Sequence, residues 1–395
     1  MGGFFATENL EVNRVELARR QAASQQGYID LTISNPTQQG FLFPAAILDE
    51  AAKAYWGTRR YRPDSHGNPL ARAAIATYYR TRRSGFVPEP DRLFLTASTS
   101  ESYSLLFALL ADPGDNILAP DVTYPLFEYL AAMYHVELRP YHLAAEPDWH
   151  IDGESLLAAA DDRTRAVLII SPHNPTGMVV AQPIPELRQL KCPIICDEVF
   201  ADFTCRVQQV PPLAALHPDL PVFILNGISK MLALPDLKLG WIALNQPALE
   251  EYAARLALLN DTFLGCNSLI QAMLPTLLQQ GQPFADAMYA QIRTNIELGL
   301  QQLATAPLLR LKPPQGGYYL FPEVDLSGEA SDEEDLVVSL LNYGVFVYPG
   351  YFYEHEDSPM ATPHLMISCL SQPEMWSKGV NALKTGMQQL FLNSD

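Results

Sequence analysis

The feature that most constrains the fold is an alternation of short apolar runs with helical stretches. Six such runs lie at about residues 92–96, 116–120, 165–171, 193–199, 221–226 and 239–244. Strands that alternate with helices are typical of a parallel sheet that carries helices on both of its faces. The sequence therefore predicts an α/β fold with a mainly parallel sheet, in which ligands bind beyond the carboxyl ends of the strands.

Length and pattern predict two domains. The chain has 395 residues, which is more than one hydrophobic core usually serves. From about residue 285 the pattern changes to a long amphipathic helix, a strand near 345–348 and a closing helix from about 373. We therefore expect a large domain at 46–285 and a smaller α+β domain formed by 1–45 together with 286–395.

Composition excludes several classes of partner. The net charge of −18 and the pI of about 4.8 argue against nucleic acid and anionic membranes. No apolar run approaches the roughly 18 residues that a spanning helix needs, and residues 1–6 lack the basic region and apolar core of a signal peptide. The five cysteines are scattered without disulfide or zinc spacing. We expect a cytoplasmic protein with reduced cysteines and no metal site.

Three strand ends are followed or formed by residues whose side chains are suited to catalysis or ligand binding. Lys230 follows the apolar run 221–225, and a desolvated lysine amine is a nucleophile toward aldehydes. Asp197 ends the run 193–197, and Asn174 follows the run 167–171 within an Asn-Pro-Thr-Gly turn pattern. Taken singly, Lys230 would more often be a solvated surface residue and Asp197 a helix cap. Their arrangement at neighbouring strand ends favours one shared site.

Together these residues resemble the class I/II aminotransferases, the aspartate-aminotransferase-like branch of the fold-type I pyridoxal 5′-phosphate (PLP) enzymes. The resemblance covers nearly the whole chain and implies transfer of an amino group from an amino acid or amine to a 2-oxo acid. It implies that Lys230 carries PLP as an aldimine and moves the α-proton of the substrate. It also implies that Asp197 keeps the pyridine nitrogen protonated, so that the ring acts as an electron sink, and that Asn174 reaches the phenolic oxygen.

The phosphate end of the site is predicted at a helix start. Ser98 to Glu101 fits a capping box after the strand 92–96, and a helix N-terminus is also an anion site. Ser98 stands where the family has a glycine. Lys238 stands where it has an arginine, and a lysine lacks the planar guanidinium fork. The resemblance implies a phosphate site formed by Ser98, Thr99, Ser100, Ser229 and Lys238.

Three aromatic residues have implied places around the cofactor. Tyr124 matches the aromatic residue that stacks on the pyridine ring, although a tyrosine before proline is more often a packed turn residue. Phe200 replaces the family tyrosine that donates to the phenolic oxygen, so that hydrogen bond is lost. Tyr61 matches the tyrosine that reaches the phosphate in the neighbouring subunit, which implies a homodimer. The alternative for Tyr61 is a surface turn rich in proline and glycine.

The substrate end departs most from the family. Met366, in the run 364–368, stands in the place of the arginine that clamps the substrate α-carboxylate. Ser34 and Asn35 lie in the amino-terminal loop near that carboxylate, and Ser34 replaces a glycine. Either another cation binds the carboxylate, with Arg62 and Arg206 as candidates, or the substrate presents no free α-carboxylate there.

Two other functions stay open from the sequence. One is a PLP-dependent C–S (β-elimination) lyase, because the bond that stands perpendicular to the ring sets the reaction type and the cofactor ligands do not. The other is a non-catalytic PLP-sensing regulatory domain of the kind that is fused to DNA-binding modules. The acidic charge of the chain disfavours the second.

Overall fold

The computed structural model describes residues 11–57, 59–326 and 332–392. The prediction about a signal peptide concerns residues 1–6, which lie outside the described residues. Within the described ranges, no helix combines the length and the apolar character that crossing a membrane requires.

The described chain alternates helices and strands along most of its length. The helices are α1 (Arg14–Gln25), α2 (Ala45–Trp56), α3 (Pro69–Arg82), α4 (Thr99–Leu110), α5 (Leu126–Ala132), α6 (Gly153–Ala159), α7 (Pro185–Leu190), α8 (Leu213–Leu216), α9 (Ile228–Met231), α10 (Gln246–Thr262), α11 (Ser268–Gln280), α12 (Gln282–Leu303), α13 (Glu333–Leu341) and α14 (Pro373–Leu392). The strands are β1 (Ile29–Asp30), β2 (Leu93–Thr96), β3 (Asn116–Pro120), β4 (Glu137–Tyr141), β5 (Leu143–Ala144), β6 (His150–Ile151), β7 (Thr164–Ile170), β8 (Ile194–Asp197), β9 (Val222–Gly227), β10 (Gly240–Leu244), β11 (Leu309–Arg310), β12 (Tyr319–Leu320), β13 (Glu323–Val324), β14 (Val345–Phe346), β15 (Tyr348–Pro349) and β16 (Leu365–Ser368).

A seven-stranded sheet forms the centre of the molecule. Its strand order is β2, β10, β9, β8, β7, β3, β4. All neighbouring pairs are parallel except the two that β10 makes, with β9 and with β2. The predicted α/β class with a mainly parallel sheet is confirmed. The edge strand β4 was not predicted, because its partly exposed sequence, which contains Pro140, carries a weak apolar signal.

Both faces of the sheet are covered, which explains why its inner strands are apolar throughout. Successive side chains of a strand point to opposite faces. In β9, Ile224 packs into the cluster that includes Ile75 of α3 and Leu274 of α11. Phe223 and Leu225 pack into a second cluster on the opposite face, with residues of α4, α5 and α10.

A third hydrophobic cluster lies outside the sheet. It joins α1, α12, α13 and α14 to the short strands β12, β15 and β16, among which β16 is the middle strand. Trp376 of α14 and Ile367 of β16 are completely buried within it. Phe200, which follows β8, also packs into this cluster. The cluster therefore reaches the carboxyl end of the central sheet.

Candidate active site

The carboxyl ends of β7, β8 and β9 meet at one edge of the sheet. Ile170 pairs with Asp197, and Asp197 pairs with Leu225. The segments that follow these strands carry Asn174 and Lys230. The strand ends therefore bring the amide, the acid and the amine to the same side of the molecule, as the sequence predicted.

The amine of Lys230 is partly buried. α9 begins directly after β9, and the Nζ atom donates a hydrogen bond to the backbone oxygen of Ser34 at 3.4 Å. The ring centroids of Phe200 and Tyr318 each lie 5.9 Å from Nζ. Burial lowers the pKa of Lys230, and the nearby Asp197 opposes that shift only in part. A larger fraction of this amine is therefore neutral and nucleophilic than in an exposed lysine.

Asp197 is a buried carboxylate with neutral partners. Its Oδ1 accepts from the Val199 N–H at 3.0 Å, and this hydrogen bond closes a turn at the end of β8. Its Oδ2 accepts from the Tyr103 hydroxyl at 2.8 Å. Burial raises the pKa of Asp197, while these hydrogen bonds and Lys230 lower it. Since no cation in the described part of the chain pairs with it directly, a ligand with a ring N–H⁺ would complete its surroundings.

Asn174 presents an unsatisfied side chain. Its Oδ1 is buried and has no hydrogen-bond partner in the described ranges. Leaving such a group unpaired costs about 1–3 kcal/mol, so the site suits a ligand with a polar atom at this point. The neighbouring His173 bonds Thr176 through Nδ1 at 2.9 Å, and burial lowers the pKa of His173 to about 3. His173 is therefore neutral at physiological pH.

The start of α4 is open to an anion. Ser98 makes no side-chain capping hydrogen bond, and Glu101 accepts instead from the N–H of Ala97. The predicted reciprocal capping box is therefore wrong, because Ser98 has φ 103° and ψ 165°, and a positive φ does not allow the usual capping geometry. The N–H groups of Thr99 and Ser100 have no acceptor among the described residues. They are free to bind a phosphate.

The backbone conformation of Ser98 leads to a prediction about the stability of the protein. A φ of 103° is strained for a residue with a Cβ and natural for glycine. Releasing about 1–3 kcal/mol of strain exceeds the about 0.5–1 kcal/mol of backbone entropy that a glycine costs. We expect Ser98→Gly to raise the free energy of unfolding, measured by denaturant titration. Ser100→Gly, inside α4, is the control and is expected to lower it.

A cavity of about 610 Å³, the lysine cavity, adjoins Ser34, whose backbone oxygen accepts from Lys230. Tyr124, Ser34 and Asn35 line it together with Tyr348. The backbone oxygen of Ser34 accepts from both Lys230 and the hydroxyl of Tyr318, the latter at 2.9 Å. Asn35 uses its Oδ1 to bind the Thr37 N–H at 3.0 Å. The cavity therefore has room for a small molecule, and Ser34 connects it to the amine of Lys230.

Met366 is a neighbour of Tyr348, which lines this cavity. It is completely buried in β16 and is paired in register with Tyr348. It shares a face of the strand with Ser368, whose Oγ donates to the Ile33 oxygen at 2.7 Å. Met366 therefore points toward the segment that carries Ser34, and it brings no charge there.

Comparison with known protein families identifies the family of this chain. The model of the family "Aminotransferase class I and II" matches residues 26–382. The chain is a class I and II aminotransferase. It is a PLP-dependent transaminase that acts on amino acids and 2-oxo acids, as the resemblance implied.

Relatives and solved structures agree with this family. The aminotransferase is 28% identical to the tyrosine aminotransferase of Mus musculus over 345 residues, which cover 82% of this chain and 76% of the relative. It is 31% identical over 287 residues to an S-alkyl-thiohydroximate lyase of Arabidopsis thaliana, covering 68% of this chain and 61% of the relative. The structure of an alanine aminotransferase from Pyrococcus furiosus superposes with a TM-score of 0.85 at 24% identity, covering 96% and 100% of the two chains. The fold is therefore fold-type I.

The match bears on the three functional alternatives. Transamination is supported by the family and by the tyrosine aminotransferase relatives. The lyase alternative has less support, with one S-alkyl-thiohydroximate lyase among the relatives described above. Since the relatives are enzymes, the regulatory-domain alternative is not supported.

Within one chain of the aminotransferase, Tyr61 does not join the lysine site. Its side chain is 63% exposed, and its hydroxyl donates to the Leu264 oxygen at 3.3 Å. It lines a second cavity of about 660 Å³ that shares no lining residue with the cavity beside Lys230. The alternative candidate Arg206 is exposed as well, and its N–H binds the Gln315 oxygen at 3.1 Å, outside the lining of the lysine cavity.

Two residues at the site were missed by sequence reasoning. Tyr103 lies one turn into α4 and donates to Asp197 from a completely buried position. Tyr318 stands beside the Lys230 amine after two glycines, of which Gly317 has φ 82°. The spacing of Tyr103 from the start of α4 was a usable signal, because a residue one turn after a strand-to-helix loop faces back toward the strand ends.

Proposed function

We propose that Lys230 is the residue that holds PLP covalently and moves the α-proton of the amino donor. The observation that supports this most strongly is its partly buried amine with a lowered pKa at the sheet edge where Asp197 and Asn174 also lie. PLP, when bound, supplies the electron sink that stabilises the carbanion formed at the substrate α-carbon. Lys230 would take the proton from the substrate α-carbon as general base and deliver it to C4′ of the cofactor as general acid.

The other side chains hold and polarise the cofactor in this proposal. Asp197 keeps a proton on the ring nitrogen, and Asn174 donates from its Nδ2 group to the phenolic oxygen. Tyr124, 44% exposed at the cavity wall, packs on the ring. The free N–H groups at the start of α4 bind the phosphate, which the compact charge of an exposed lysine also neutralises. The proposed phosphate ligands are Ser98, Thr99, Ser100, Ser229 and Lys238.

Phe200 gives a prediction on pH dependence. It lies near the Lys230 amine and has no hydroxyl to stabilise a negative phenolic oxygen. Phe200→Tyr adds that donor, which favours loss of the proton between the cofactor and the lysine. We expect the visible band of the PLP-bound variant to shift with pH at a lower pKa than the wild type. An identical titration curve for both proteins would exclude contact between Phe200 and the cofactor.

The same proposal includes a homodimer and a division of the chain. Tyr61 reaches the phosphate in the neighbouring subunit, and its distance from the lysine cavity of its own chain supports this. We assign 46–285 to the large domain and 1–45 with 286–395 to the smaller one, which the separate hydrophobic clusters support. A cytoplasmic location is supported by the five free cysteines.

The test of function is a spectral screen. Purified PLP-loaded protein is mixed with single amino acids and amines, with tyrosine first because the relatives include tyrosine aminotransferases. Conversion of the visible band to that of the pyridoxamine form reports transamination directly. Release of pyruvate and ammonia from a cysteine conjugate would instead favour the lyase, the second candidate that one relative supports. A protein that converts no donor would contradict both.

A further inference from the structure

The substrate end of the site has no free cation among the described residues that line its cavity. Met366 is apolar, and the amine of Lys230 is needed for the reaction. Arg19 lines the cavity, but its Nε and Nη2 bind Glu16 at 2.6 and 2.9 Å, and its Nη1 donates to Tyr28 at 2.9 Å. An α-carboxylate in this cavity would therefore meet no unpaired positive charge among the described lining residues.

A loop rich in arginine lies in another part of the same chain. The side chains of Arg59, Arg60 and Arg62 are exposed, and no described carboxylate lies within 4 Å of their guanidinium groups. The nearest acid in sequence, Asp64, is within 3.5 Å of Arg72 instead. Proline at position 63 restricts Arg62 to an extended backbone. The loop therefore presents a charge that the described part of its own chain leaves without a partner.

The surface around this loop is suited to a second copy of the chain. Five large apolar side chains there are between 56% and 73% exposed, namely Trp56, Tyr61, Leu70, Phe263 and Leu264. Such a concentration of apolar surface marks an interface. A basic loop is attracted to a chain that carries a net charge of −18. These observations favour a second copy as the occupant.

We propose that Arg62 of one copy enters the cavity beside Lys230 of the second copy and binds the α-carboxylate of the amino donor. This inference rests on the proposed homodimeric aminotransferase. A guanidinium binds a carboxylate through two parallel hydrogen bonds, so Arg62 performs the task that Met366 cannot. Preference for amino acids over simple amines then depends on the assembly of two chains.

The first experiment compares tyrosine with tyramine, which differ only by the carboxylate, on PLP-loaded enzyme. Losing one partner of a desolvated charge pair weakens binding by at least about 30-fold. We expect Arg62→Ala to raise KM for tyrosine by that factor or more, with little change in kcat and none in the kinetics of tyramine. Arg62→Lys is expected to lose less, because it keeps the charge. Arg206→Ala is the control and is expected to match the wild type.

The second experiment tests whether Arg62 acts across the interface. Lys230→Ala and Arg62→Ala chains, carrying different affinity tags, are expressed together and the mixed dimers are purified. One site of each mixed dimer then combines a wild-type Lys230 with the wild-type Arg62 of the other chain. We expect that site to show the KM of the wild type for tyrosine. A KM equal to that of the Arg62→Ala homodimer would overturn action in trans.

A binding measurement separates this inference from the proposed function. Calorimetric titration with 3-(4-hydroxyphenyl)propionate, which has the carboxylate and no amine, needs no turnover. Arg62→Ala is expected to raise its Kd by at least about 30-fold. An unchanged Kd, or a loss in Arg19→Ala instead, would overturn the role of Arg62. Failure of the wild type to convert any donor would overturn the proposed function while this titration still decides the inference.

Discussion

Replacing Lys230 with alanine is expected to abolish covalent attachment of PLP and to lower turnover by at least about 10⁴-fold, the upper range of acid–base catalysis by one side chain. The reason is that, in the proposed function, the partly buried amine is both the point of attachment and the group that moves the proton. Treatment with borohydride followed by mass spectrometry measures attachment. A variant that still carries reductively fixed PLP would refute the assignment of Lys230.

The matched control for that experiment is Lys238→Ala. Lys238 is exposed and lies eight residues further along the chain, so its loss is expected to weaken PLP affinity while attachment is retained. The Lys230→Ala chain is expected to stay folded. Burial lowers the pKa of Lys230 in the folded state, whereas its pKa in the unfolded state is about 10.4. At neutral pH the charged amine is therefore less favourable in the folded state than in the unfolded state. Removing this amine therefore removes a cost to folding at neutral pH.

Asp197→Asn is expected to lower kcat by about 10² to 10⁴-fold and to weaken cofactor binding. An amide has nearly the same shape as the carboxylate, but it carries no negative charge to hold a proton on the ring nitrogen. Stopped-flow or steady-state rates with a saturating donor measure the loss. Activity within tenfold of the wild type would contradict the proposed pairing of Asp197 with the ring.

The control for Asp197 is Tyr103→Phe, which removes only the hydrogen bond to Oδ2. That bond lowers the pKa of Asp197, so its loss raises that pKa further. Since the ionised carboxylate is required, the acid limb of the kcat/KM profile is expected to move to higher pH, with little loss at the optimum. A profile that stays in place would show that Tyr103 supports the fold alone.

Much of the site was predictable because it follows from local sequence. A buried strand ends at a definite residue, and parallel strands place their carboxyl ends at one edge, so the position of Asn174, Asp197 and Lys230 at that edge was predicted without coordinates. The sequence also predicted a helix that starts at Ser100, one residue after the observed start at Thr99. The prediction of a capping box at Ser98 was wrong, because the φ of 103° depends on the close approach of Gly240 in β10 to the backbone of Ser98. A Cβ on Gly240 would lie 2.8 Å from the Ser98 carbonyl carbon.

The sequence by itself determined the fold class, the strand ends and the candidate residues on them, since periodicity and strand termination are properties of neighbouring residues. The tertiary structure decided which distant groups surround those residues. Tyr103 donates to Asp197, and the amine of Lys230 donates to the oxygen of Ser34. The hydroxyl of Tyr61 instead donates to the Leu264 oxygen, away from that amine. These contacts join residues far apart in sequence, and packing of the hydrophobic clusters fixes them. No local pattern encodes that packing.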